Sequence, residues 1–80
     1  MTTFERRMLT IAPGGSRAPG DADWPRALVL VARGELELEG AGGTRRRFGS
    51  GDLIWIHEVP LRALRNHGPD DVVLLGVFPA

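Results

Sequence analysis

A chain of 80 residues, 42% hydrophobic and without cysteine, lies near the lower limit for one autonomous core and has room for a single domain over residues 1–80. Lys+Arg and Asp+Glu both total 10, so no bulk positive field attracts a phosphate backbone, and nucleic acid is not an expected partner. No apolar run of signal-peptide or membrane-spanning length is present, no disulfide can staple the core, and the expectation is a cytoplasmic protein, away from membranes, that gains burial as a homodimer.

The predicted elements are short strands. Phe4 to Ala12 forms the first, ended by Pro13-Gly14-Gly15 and followed by a loop through Asp23. Ala27 to Ala32 is a continuous apolar run of strand length. Glu35-Leu36-Glu37-Leu38-Glu39 alternates strictly, with the leucines on one face and three carboxylates on the other, and Gly34 is the bend before it. Gly40-Ala41-Gly42-Gly43 supplies a hairpin, after which Thr44 to Phe48 returns as a strand. There Arg45 and Arg47 face one way and Arg46 the other, which pairs the first two with the glutamates across the hairpin. Gly49-Ser50-Gly51-Asp52 turns the chain into Leu53 to His57, Pro60 starts Leu61 to Asn66, and His67-Gly68-Pro69-Asp70 turns it into Val72 to Phe78. No window carries a sustained helical period. The pattern is an all-β chain closing its own sheet edges in a barrel or sandwich.

The segment from Gly51 to Asn66 resembles the second signature of the cupin family in Gly51, Asp52, Pro60 and Asn66, with Glu58-Val59 where a Pro-Gly turn is usual. The first signature, G-x5-H-x-H-x3-E-x6-G, is matched in spacing by Gly15, Asp21, Asp23, Ala27 and Gly34, of which only the glycines match in identity. The resemblance, from about Ala12 to Phe78, implies a cupin-like antiparallel β-barrel, the double-stranded β-helix or jelly roll. It also implies that the family's metal centre is missing, because Asp21 and Asp23 stand at two His positions, Ala27 at the Glu and Arg62 at the remaining His. No cofactor is expected.

On the family's inward face, alternation places Ala27, Val29 and Val31 on one strand and Arg62, Leu64 and Asn66 on another, with Asp21 and Asp23 at the barrel entrance. Arg62 is then either paired with Asp21 or Asp23, or snorkelling to the barrel mouth, or free to hold a carboxylate or phosphate of a small ligand. Trp24 and Trp55 are candidate walls of that site. Trp55 shares a face with Leu53 and His57, Ile54 and Ile56 take the other, and either face could be the interior.

Binding of a small anionic organic molecule without a metal is the function these residues favour, with Arg62, Asp21, Trp24, Trp55 and Asn66 as ligand-binding residues. The alternative is a metal-independent isomerase, lyase or cyclase, in which His57 or Asp23 carries the proton, since an imidazole titrates near ~6.5. His67 belongs to a turn and is expected at the surface. A third reading leaves the barrel inert and assigns protein binding to the outer sheet. Whether the chain is an enzyme stays open at this level.

Overall fold

The computed structural model describes residues 3–18, 26–57 and 61–79. Its strands are β1 (Phe4–Ile11), β2 (Ser16–Arg17), β3 (Arg26–Arg33), β4 (Leu36–Gly40), β5 (Arg45–Phe48), β6 (Leu53–His57), β7 (Leu61–Arg65) and β8 (Val72–Pro79). They form two four-stranded antiparallel sheets, ordered β1-β8-β3-β6 and β2-β7-β4-β5. This is a jelly roll, as expected from the strand pattern. Only the two-residue β2, which pairs Ser16 with Arg65 and Arg17 with Leu64, had no signal in the sequence.

Alternation on each strand supplies the core. Ala27, Val29 and Val31 of β3, Ile54 and Ile56 of β6, Val72 and Leu74 of β8 and Ile11 of β1 point inward from the first sheet. Leu36 and Leu38 of β4 and Leu64 of β7 meet them from the second, with Leu9, Phe48, Leu61 and Phe78 packed around the margin. Burial of a Val, Leu or Ile side chain contributes about 1.5–3 kcal/mol, so this cluster is the main source of stability in so short a chain.

Two turns need their glycines. Gly34 has φ +82°, and a Cβ there would lie 2.6 Å from the Asp71 carbonyl oxygen, so any other residue would push β3 away from the start of β8. Gly43, at φ +90°, closes the β4–β5 hairpin, where its N–H donates to the Gly40 carbonyl at 2.9 Å. The Gly51-Asp52 turn docks on β3: the Gly51 N–H donates to Val31 O at 2.8 Å, and the Val31 N–H to Asp52 O at 3.0 Å. That turn is therefore built for sheet closure.

The outer faces of the two sheets differ in chemistry. On the first, Leu28 lies opposite Trp55 and Val77, Leu30 opposite Leu53 and Leu75, and Met8 opposite Leu75. Phe4, Met8, Leu28, Leu53 and Trp55 are all exposed there. On the second, Glu37 and Glu39 lie between Arg47 and Arg45 of β5 and Arg65 and Ala63 of β7.

Candidate functional site

The second sheet carries the polar chemistry, and its register sorts that chemistry onto two faces. Strand β4 is central, so Glu37 and Glu39 are covered from both sides and are only 6% and 4% exposed despite facing away from the core. Glu39 accepts from Arg65 Nε at 3.2 Å and lies 3.1 Å from Arg65 Nη2, 3.7 Å from Arg62 Nε and 3.9 Å from Arg45 Nε. Glu37 lies 3.7 Å from Arg47 Nε and 3.1 Å from His67 Nε2. Burial pushes the Glu37 carboxyl up. The hydrogen bond with His67 and the charges of His67, Arg45 and Arg47 outweigh that and hold the carboxyl below its ordinary value. The expected pairing of Arg45 and Arg47 with the glutamates is thus observed, with the carboxylates buried under the cations.

Arg62 does not occupy the interior. Glu39 pairs with Ala63 but Gly40 pairs with Leu61, so one extra residue, Arg62, is bulged out of β7. The bulge shifts the alternation by one residue. Leu61 turns toward the core, and Arg62 joins Ala63 on the carboxylate face, where its side chain is 67% exposed and beside Glu39. The inward placement expected from alternation fails for that reason. So does the choice of Arg62 as the barrel's ligand anchor.

Asn66 is inward as expected, but its side chain is used up by the backbone. Fully buried, it donates through Nδ2 to Ile11 O at 2.9 Å and Asp70 O at 2.7 Å, and its Oδ1 accepts from the Gly68 N–H at 2.9 Å. Its own backbone exchanges bonds with Gly14 and Gly15. It ties the ends of β1, β7 and β8 together, and no amide hydrogen is left for a ligand. Trp55, opposite Leu28 on the outer face and 61% exposed, does not wall the barrel, because Ile54 and Ile56 take the inner side of β6. Asp21, Asp23 and Trp24 lie outside the described residues, as does the ring of His57, whose backbone ends β6 opposite Arg26.

The described concavity on the core side of the second sheet is a pocket of about 160 Å³ lined by Leu38, Gly40, Thr44, Arg46 and Leu61. Leu38 and Leu61 supply the apolar wall, Gly40 leaves it open, and Arg46, opposite Leu38 in the register, stands at the rim. The sequence places Arg46 on the opposite side from Arg45 and Arg47, but not which side is the barrel's. A smaller cleft of about 90 Å³ lies among Glu35, Leu36, Glu37, Arg47, His67 and Gly68 on the carboxylate side. Its polar groups are largely paired with one another.

Two of the four cupin metal positions lie among the described residues, and neither carries a residue that fits as a ligand. Ala27 is fully buried in the core at the Glu position, and Arg62, at a His position, leaves on the far side of the sheet. Among the described residues no group of His, Asp or Glu is arranged to hold a metal ion, and no helix is long and apolar enough to cross a membrane.

No protein-family model and no curated protein matches this sequence. Solved structures do match. The chain is similar to a Cupin 2 conserved barrel domain protein from Salinispora arenicola CNS-205 at 23% identity and TM-score 0.72, covering 92% of this chain and 60% of that one. It is also similar to a conserved protein with a double-stranded β-helix domain from Klebsiella pneumoniae, at 19% identity and TM-score 0.77, over 96% of this chain and 69% of that one. A cupin domain from Bordetella pertussis Tohama I aligns at 16% identity and TM-score 0.70, over 100% of this chain and 92% of that one. With its antiparallel sheets, inward-facing aliphatic core and Gly-Asp turn, the chain is a small all-β domain with the cupin, or double-stranded β-helix, fold.

Proposed function

We propose that this domain binds a small organic anion on the core side of its second sheet, without a metal, and works as a homodimer. The observation that carries this reading is the pocket of about 160 Å³ formed by Leu38, Gly40, Thr44, Arg46 and Leu61, which combines an apolar wall with a guanidinium at the rim. Arg46 has no ion-pair partner among the described residues, so it can meet a ligand's negative charge without giving up another contact. The anchor is Arg46 in place of Arg62, whose guanidinium lies on the Glu39 side. Metal independence is supported by Ala27 and Arg62 at two of the positions where the fold family has ligands.

The dimer is supported by the outer face of the first sheet. Phe4 and Met8 of β1, Leu28 of β3, and Leu53 and Trp55 of β6 give it exposed apolar side chains on three of its four strands. A second copy can cover it by two-fold symmetry, and the charged outer face of the second sheet then stays in water.

A thermal-shift panel of small organic acids, sugars and nucleotides tests the binding reading. Stabilisation by organic acids should vanish in Leu61→Trp, which fills the pocket. A panel in which nothing raises the melting temperature of the unsubstituted protein would count against it. Elemental analysis finding about one metal per chain, after purification without chelator, would overturn metal independence.

A further inference from the structure

We propose that the pocket selects for one negative charge on a compact apolar body, a monocarboxylate of the size of benzoate or hexanoate. This rests on the binding reading above and narrows it to a chemical class. Strand alternation divides the run Arg45-Arg46-Arg47 between two environments. Arg45 and Arg47 cross to Glu39 and Glu37 at 3.9 and 3.7 Å on the outer face. Arg46, opposite Leu38, is left at the pocket rim. The other cations near this end, Arg62 and Arg65, are held by Glu39 on the far side of the same sheet. One guanidinium therefore faces the ligand, and one carboxylate satisfies it.

The wall fixes the rest of the class. Leu38 and Leu61 offer no hydrogen bonds, and the Thr44 hydroxyl is the single polar side-chain group beside Arg46 among the residues that line the pocket. A second charge or a sugar hydroxyl laid against the Leu38 and Leu61 wall would lose water without gaining a partner. Size gives the same answer. The pocket measures about 160 Å³ and opens to solvent beside the exposed Thr44 and Arg46, so it has room for a body of about benzene size with its charged end at the mouth.

The experiment titrates the full chain with benzoate, hexanoate, succinate, glucose 6-phosphate and the neutral benzyl alcohol, by calorimetry and by amide NMR shifts. Benzoate and hexanoate should shift the Leu38, Gly40, Thr44 and Leu61 amides and bind more tightly than the other three. Arg46→Gln should weaken benzoate about tenfold or more, while Arg46→Lys keeps part of the affinity. Arg46 is exposed and has no ion-pair partner among the described residues, so both variants should fold as the unsubstituted chain does. Equal affinity for benzoate and benzyl alcohol, tighter succinate, or no loss in Arg46→Gln would overturn the monoanion class while leaving a binding pocket in place. No shift at those four amides with any probe would overturn the binding reading itself.

Discussion

The Nε of Arg62 lies 3.7 Å from Oε2 of Glu39, on the side of the second sheet away from the core. Arg62 is one of three arginines around that carboxylate and is mostly exposed, whereas Glu39 is nearly buried. The two partners should therefore differ in what their removal costs. Arg62→Leu is expected to change stability by no more than ~1 kcal/mol, the range of exposed ion pairs. Glu39→Gln removes the shared negative charge and turns one of its acceptor oxygens into an N–H2 donor facing the arginines, and should cost about 1–3 kcal/mol. Denaturant melts of both variants and of the double variant measure this, and a cost for Arg62→Leu equal to that of Glu39→Gln would contradict the arrangement.

Asn66 should be among the least replaceable polar residues of the chain. Asn66→Ala leaves the Ile11 and Asp70 carbonyls and the Gly68 N–H without their side-chain partner, at about 1–3 kcal/mol for each group that stays buried. Asn66→Asp should be no better, because its second oxygen would face two carbonyl oxygens. Chemical denaturation with urea should show both variants losing several kcal/mol. A change of less than ~1 kcal/mol in either would remove the structural assignment.

Acid should loosen the β4–β7 face through Glu37. Its folded-state value lies below the ordinary 4.5, so the stability it contributes is present above that value and is lost as pH falls through the lowered one. Glu37→Gln should therefore flatten the stability profile below pH 4.5. Melting temperatures of the two proteins between pH 7 and pH 3 provide the check, and parallel curves throughout would exclude a role for this carboxylate.

Self-association should respond to the apolar face of the first sheet and to nothing on the second. Leu53 and Met8 are 64% and 68% exposed, so Leu53→Glu or Met8→Glu should cost a monomer little, yet place a charge inside the dimer contact. Sedimentation at tens of micromolar should give a dimer for the unsubstituted chain and monomers for these variants. Arg47→Glu, on the opposite face, should remain dimeric.

The strands were legible because their periodicity is local. Leu53–His57 is observed with the bounds the turn residues imply, and the pairing of Arg45 and Arg47 with Glu39 and Glu37 follows from one hairpin. What alternation alone does not fix is which face is inside. Both faces of β6 are apolar, so Trp55 and Ile54 exchange places only when β3 supplies its own inward residues. Arg46 has the same ambiguity until Leu38 is seen across from it. The bulge at Arg62 is harder still, since Leu-Arg-Ala-Leu-Arg reads equally well in either register and the extra residue is defined only against Gly40 on another strand.

The bulge also sets the terms for rebuilding a metal centre in this scaffold. Restoring histidine at position 62 would deliver an imidazole to the Glu39 side of the sheet, where it meets a carboxylate and the guanidiniums of Arg45 and Arg65. Engineering would have to begin with a deletion. Removing one residue from β7 brings the strand back into phase with β4 and swings the side chain next to Ala63 into the barrel, so ligand geometry here is controlled by chain length before it is controlled by residue type.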